Sequence, residues 1–261
     1  LATINDKLKK IAHEQALKKK KRVHEGFIEL TLAGYTNAGK STLHRALTGS
    51  TVKVADELFT TLATKASELD MPGRRVVLSD SVGFISDLPD PLIQAFNTTL
   101  MEVADADVII LVVDASDSTD EMERKVDACL ETFNEIGANG IPMITALNKI
   151  DLLDQSDIAD RVDHLPESCS VVTPISAERR INLDKLMIAV EKELPRLQRY
   201  QIVLPYGNEG MSVLSWLYDN GDVESEEYAG TDIKVIVSLS IEIAEKFKRA
   251  NPDNEISKLD G

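Results

Sequence analysis

The 261-residue chain has two cysteines, one tryptophan and only 5% aromatic residues. Cys129 and Cys169 lie far apart and match no zinc-ligand spacing, so a disulfide framework and a structural zinc site are both excluded, and a reducing cytoplasm is the expected setting. No apolar run approaches the ~18 residues needed to cross a bilayer, so no transmembrane segment is expected, although a peripheral membrane contact stays open. The first 25 residues are polar and Lys-rich and contain no apolar core of a secretory signal. Positive charge is scarce overall: the formal net charge is −15. An acidic body repels phosphate backbones, which argues against DNA as a partner. The imbalance is uneven, because residues 1–25 hold eight Lys/Arg against three acids, a local charge of +5, so the remainder carries −20. That basic arm is the feature an RNA partner could use, or else a solvated helix face.

What the chain does contain is an alternation of apolar strands and amphipathic helices. The pattern predicts a helix over 3–22, with a thin apolar stripe of Ile4, Leu8, Ile11 and Leu17. Strands are expected at 27–33, 65–71, 74–80, 107–115, 141–148 and 169–176, and helices from the loop near 40 to Gly49, over 91–106, 119–137 and 182–194. Pro72-Gly73 marks a hairpin between two of the strands. The result is an α/β fold, a mostly parallel sheet with helices on both faces. From residue 201 a second strand–helix–strand–strand–helix pattern begins, a small C-terminal α/β domain whose last ten residues are polar and expected to fray. The domain reading is a basic helical segment at 1–25, a nucleotide domain at 26–196 and the small domain at 197–261.

The chemistry centres on "GYTNAGKST", residues 34–42, which fits the G-x-x-x-x-G-K-[ST] phosphate-loop pattern between a strand and a helix. Glycines allow backbone N–H groups to turn inward around phosphate oxygens, and the following helix directs its positive end at the anion. Asn37, Ala38, Gly39, Lys40, Ser41 and Thr42 are the expected phosphate contacts, with Lys40 reaching the β- and γ-phosphates and the Ser41 hydroxyl on Mg²⁺. Asp80, at the end of the strand "VVLSD", suits the metal through a water, and Gly83 can offer its N–H to the γ-phosphate. In "ELFTTLAT" a threonine, Thr61 rather than Thr60 or Thr64, is expected to place its hydroxyl on Mg²⁺ and its N–H on the γ-phosphate. Lys40, Thr61 and Gly83 thus serve the transferred phosphate, and Ser41, Thr61 and Asp80 the metal.

"NKID", 148–151, follows another apolar strand. The Asp151 carboxylate can accept from guanine N1–H and the 2-amino group, donors that adenine lacks. Asn148 can brace the loop and meet the base, and the Lys149 stem can lie over its face. Ser176-Ala177 can bring backbone to the guanine carbonyl. The set implies GTP/GDP with Mg²⁺. Hydrolysis needs a water held in line with the γ-phosphate. Phe84 stands where many GTPases carry a water-orienting Gln, and a phenyl ring cannot hydrogen-bond that water, so slow turnover without an activator is expected. A GTP-binding regulatory module with little hydrolysis, acting on a protein or membrane partner, is the alternative. His44, just past the loop, is expected to face outward.

"GYTNAGKSTL", "ELFTTL", "SDSVGFISDLP" and "LNKIDLL" together resemble the HflX family of translation-factor-class GTPases. That resemblance implies a P-loop GTPase fold, an N-terminal domain and helical hairpin ahead of the GTPase domain, with residues 1–22 as the end of the hairpin, and a small C-terminal domain. It also implies association with the ribosome, chiefly the large subunit and its rRNA, in splitting or rescue under stress. Three stretches depart from the family pattern: Ser81 where Thr is usual, Ala63-Thr64 where Asp-Pro is usual, and "ERRIN" (178–182) where a glycine-containing stretch is usual.

Overall fold

The computed structural model describes residues 27–49, 65–80 and 103–259. The helix expected over 3–22, most of that over 91–106, and the positions Thr61, Gly83 and Phe84 lie outside the described residues. The described residues divide into two compact units, one within 29–69 and 77–194, the other within 27–28, 70–76 and 195–259.

The larger sheet, which lies mostly in the first unit, has the described strands β1 (Phe27–Ala33), β2 (Lys65–Met71), β3 (Arg74–Asp80), β4 (Val108–Asp114), β5 (Met143–Asn148) and β6 (Val172–Pro174). They form one sheet in the order β2-β3-β1-β4-β5-β6, and the β1–β4, β4–β5 and β5–β6 pairs are parallel. The two-residue Pro72-Gly73 turn joins β2 to β3 as a hairpin, a connection open only to antiparallel strands. The described helices of this unit are α1 (Lys40–Thr48), α2 (Thr119–Glu135), α3 (Gln155–Asp163) and α4 (Leu183–Glu193).

β4, "VIILVVD", is central and apolar on both faces because it is covered on both. Ile109, Leu111 and Val113 point one way and meet Met122, Val126, Cys129 and Phe133, which share one face of α2 at helical spacing. Val108, Ile110 and Val112 alternate to the other face and are equally buried. Ser118 caps α2 by accepting from the Glu121 N–H, and the left-handed Gly137 (φ 75°) ends the turn that follows it. Two expectations shift here. β6 is three residues long rather than eight, because Cys169 closes a turn onto the Pro166 carbonyl and Ser176 turns to bridge Ile181. α3 has no fully buried residue, which is why no apolar stripe announced it.

The second unit holds β7 (Gln198–Pro205), α5 (Asn208–Asn220), β8 (Asp222–Ala229), β9 (Asp232–Leu239), α6 (Ile241–Ala250) and β10 (Glu255–Lys258). The sheet is antiparallel in the order β10-β7-β9-β8. Inward residues of β7 and β9 (Ile202, Leu204, Ile233, Val235, Val237) pack with Leu214 and Leu217 of α5 and Ile243 and Phe247 of α6. Trp216 stacks on Phe247 at 5.8 Å, whereas Tyr218 is exposed. The expected fraying of the last ten residues is corrected: Glu255–Lys258 pairs with β7, and Leu259 N–H donates to the Arg199 carbonyl at 2.9 Å. An edge of unpaired peptide groups and one apolar side chain, Ile256, against the core outweigh the polar composition.

Candidate functional site

The phosphate loop leaves β1 at Gly34 and enters α1 at Lys40. Both bounding glycines are required sterically. A Cβ on Gly34 (φ 143°) would run into the Val112 carbonyl of β4, and one on Gly39 (φ 99°) into the Asn148 side-chain amide. Between them Asn37 adopts a left-handed φ of 63°, a conformation that asparagine tolerates better than most residues. Ala38 N–H closes the loop onto the Tyr35 carbonyl, and Leu43 N–H makes the first helical bond to Gly39. The N–H groups of the first helical turn have no partner within a helix and are available to an anion.

Lys40 is buried, and its ammonium donates to the Gly34 and Tyr35 carbonyls, both at 2.9 Å. Burial lowers its pKa from 10.5 to about 8, against the nearby Asp80 charge, which pulls it up. The thiol of Cys129, beneath the loop, is pushed up to about 12 by burial and stays protonated and inert at neutral pH. Ser41 Oγ donates to Asp80 Oδ2 at 2.7 Å, so the hydroxyl and carboxylate stand together at the start of α1. This pair fits Mg²⁺, a hard cation that takes oxygen ligands and is usually held by one or two protein groups plus phosphate and water. Among the described residues no cluster of three or more His, Cys, Asp and Glu could hold a metal by itself.

His44 corrects an expectation. It is buried rather than outward-facing, and its Nε2 sits 3.2 Å from the Leu78 carbonyl of β3. One helical turn beyond Lys40, it lies on the inner face of α1, and the carbonyl partner makes its burial affordable.

Asn148 ends β5 and joins the two halves of the site. Its Nδ2 donates to the Ala38 carbonyl of the phosphate loop at 2.9 Å, and its Oδ1 accepts from Ala177 N–H at 2.9 Å. Ala177 N–H, expected at a base carbonyl, is therefore engaged by Asn148. Ser176 is buried, and its Oγ accepts from Arg179 N–H at 3.0 Å, fixing the bend of that loop. Within "ERRIN", Arg180 and Asn182 both take a left-handed φ of 55°, so non-glycine residues fill the backbone bends of this stretch. A cavity of about 270 Å³ opens between these parts, lined by Gly39, Thr42, Asn148, Lys149, Asp151 and Ser176 among others.

Asp151 lies in a single 3₁₀ turn, Ile150–Leu152, with Arg179 Nε 3.9 Å from its carboxylate. Lys149 has φ 69° and sends its ammonium to Asp114 Oδ2 at 2.5 Å. Asp114 and Arg179 were not singled out from the sequence. Asp114 carries the one available signal, a carboxylate closing an apolar strand as Asp80 does. Tyr35, a variable position of the loop pattern, packs under Arg124 and Lys125 of α2, whose charged ends lie 5.8 and 5.3 Å from its ring.

A family model described as a 50S ribosome-binding GTPase matches residues 29–149. The chain is 36% identical over 238 residues to the GTPase HflX of Thermococcus kodakarensis, covering 87% of this chain and 54% of that one. It is 34% identical over 250 residues to the GTPase HflX of Caldanaerobacter subterraneus, covering 95% and 55%. The chain thus spans about half the length of the curated relatives it matches. Among solved structures it resembles a GTP-binding protein of Sulfolobus solfataricus in complex with GDP, with 29% identity and a TM-score of 0.54, covering 74% of this chain and 59% of that one. Sheet order, phosphate loop and these likenesses agree on a P-loop GTPase fold, and through its GTPase domain the chain belongs to the HflX family of GTPases.

Proposed function

We propose that this chain binds GTP and GDP with Mg²⁺ and hydrolyses GTP as a switch that acts on the large ribosomal subunit, in splitting or rescue of ribosomes under stress. The observation that carries the nucleotide reading is the pair of hydrogen bonds made by the Asn148 side chain, to the Ala38 carbonyl and from the Ala177 N–H, beside the cavity bordered by Asp151. Residues 26–196 are the GTPase domain in this reading, 197–261 the C-terminal domain, and 1–25 a basic segment for RNA, in a cytoplasmic protein.

In this reading Asn37 to Thr42 surround the phosphates, with Lys40 exchanging its two loop carbonyls for phosphate oxygens. Ser41 and Thr61, with Asp80 through a water, would hold Mg²⁺, which when bound would neutralise phosphate charge during transfer. Asp151 reads the guanine edge, Lys149 covers its face, and Ser176 and Ala177 form the wall behind it. Gly83 supplies an N–H at the γ-phosphate. Phe84 cannot orient the attacking water, so activation by the ribosome sets the rate. Ribosome association rests on the family description matched over 29–149 and on the +5 charge of residues 1–25.

Replacing Asp151 by Asn removes the acceptor pair for N1–H and the 2-amino group and adds a donor suited to a 2-oxo group. Competition binding is expected to move preference from GDP toward xanthosine diphosphate. An undiminished preference for GDP would remove Asp151 from base recognition.

Lys40 gives a pH dependence. Phosphate binding favours the charged ammonium and raises its pKa, so binding takes up a proton wherever the free site has lost it. With a free-site pKa of about 8, GDP affinity is flat in acid and about fourfold weaker at pH 8.5 than at pH 7. Lys40→Arg, charged throughout, is the reference that cancels titration of the nucleotide itself, and equal pH profiles for the two proteins would contradict the assignment.

For the ribosomal role, GTP turnover by the purified protein is expected to be slow and to rise steeply with large ribosomal subunits. Co-sedimentation with subunits should favour a non-hydrolysable GTP analogue over GDP. Turnover by the purified protein alone as fast as that of a stimulated GTPase would contradict the reading of Phe84, and no response to subunits would favour a regulatory module with little hydrolysis and another partner.

A further inference from the structure

Asp114 and Lys149 meet across the carboxyl ends of neighbouring strands. Asp114 of β4 is in register with Asn148 of β5, and Ala115 N–H donates to the Asn148 carbonyl at 2.8 Å, so Lys149 begins one step past the last paired residue. The left-handed backbone at Lys149 turns its side chain back, and its ammonium reaches Asp114 Oδ2 at 2.5 Å. The carboxylate is fixed before it meets the lysine: its other oxygen accepts from Ser116 N–H at 2.9 Å and Ser116 Oγ at 2.6 Å. The Asp114 side chain is only 12% exposed, so this ion pair is screened less than a surface pair.

Lys149 also lines the cavity that Asp151 borders, and Asp151 is only two residues further on. One ammonium therefore sits on a stem that lines the same cavity as the Asp151 carboxylate, while it is itself paired with Asp114. In the structure it is committed to Asp114, and among the described residues the cation paired with Asp151 is the largely exposed Arg179, at a looser 3.9 Å. We infer that Asp114 is a positioning residue for base recognition: it holds the Lys149 ammonium at the end of β4, keeps that charge off Asp151, and leaves the Asp151 carboxylate open to the hydrogen-bond donors of a guanine. The inference rests on the guanine-reading role of Asp151 proposed above.

Asp114→Asn tests it with little disturbance, because the asparagine oxygen still accepts from Ser116 while its amide cannot pair with an ammonium. The readout is the ratio of Kd for inosine diphosphate to Kd for GDP, since hypoxanthine lacks only the 2-amino donor. Asp114→Asn is expected to lower this ratio by at least about threefold, the worth of a typical hydrogen bond lost when Lys149 turns to Asp151. In a Lys149→Met background, which keeps a stem and removes the charge, Asp114→Asn should leave the ratio unchanged. A purely structural role would weaken both nucleotides alike, so an unchanged ratio in the single variant, or an equal drop in the Lys149→Met background, overturns the inference. If the unsubstituted protein itself fails to prefer GDP to inosine diphosphate, the reading of Asp151 fails and this inference falls with it.

Discussion

The side-chain amide of Asn148 is the interaction on which the rest of the site depends. One carboxamide, almost fully buried, donates to the Ala38 carbonyl and accepts from the Ala177 N–H. The first contact belongs to the loop between β1 and α1, the second to the loop after β6, and Asn148 itself ends β5. Three strand ends that are remote in sequence are thereby held in one arrangement. Each bond adds only about 1 kcal/mol net, but a buried peptide group left without its partner costs about 1–3 kcal/mol. The same amide explains Gly39: the side chain approaches so closely that no Cβ fits there.

From that tie the neighbouring features follow. Asn148 can reach the loop because β5 runs parallel to β4, and β4 parallel to β1, so their carboxyl ends lie along one edge of the sheet, where α/β sheets bind ligands. The apolar strand β4 with α2 packed on it makes this edge rigid. The buried charged and ring groups beside the loop have partners, Lys40 in two carbonyls and His44 in the Leu78 carbonyl, and the half-buried Lys149 pairs with Asp114.

The framework was legible in the sequence because it is written in local signals. Strand periodicity, the glycine-bounded loop and the Pro72-Gly73 turn each depend on residues close together in the chain, and within the described residues most of the strands and helices assigned from them appear with shifts of a few residues. Contacts between distant residues were not legible. His44 was expected outside because a histidine after a phosphate loop carries no sign of the carbonyl that waits for it on β3. The tie of the Ala177 N–H to Asn148, 29 residues back in sequence, carries no sign in the Ser-Ala pair itself. Asp114 looked like the end of a buried strand, and its lysine partner is visible only once β4 and β5 are in register. The polar C-terminal stretch hid a strand because pairing with β7 depends on an open edge rather than on its own composition.

Asn148 is therefore the part that makes phosphate loop and base cavity a single site. Binding of inorganic tripolyphosphate and of GDP to the Asn148→Ala protein, by calorimetry, tests this most directly, because tripolyphosphate has no base. If the amide organises the loop, both ligands weaken, each by roughly tenfold or more, in line with two buried hydrogen bonds lost. If GDP weakens while tripolyphosphate binds as before, Asn148 acts only at the base and the account is contradicted.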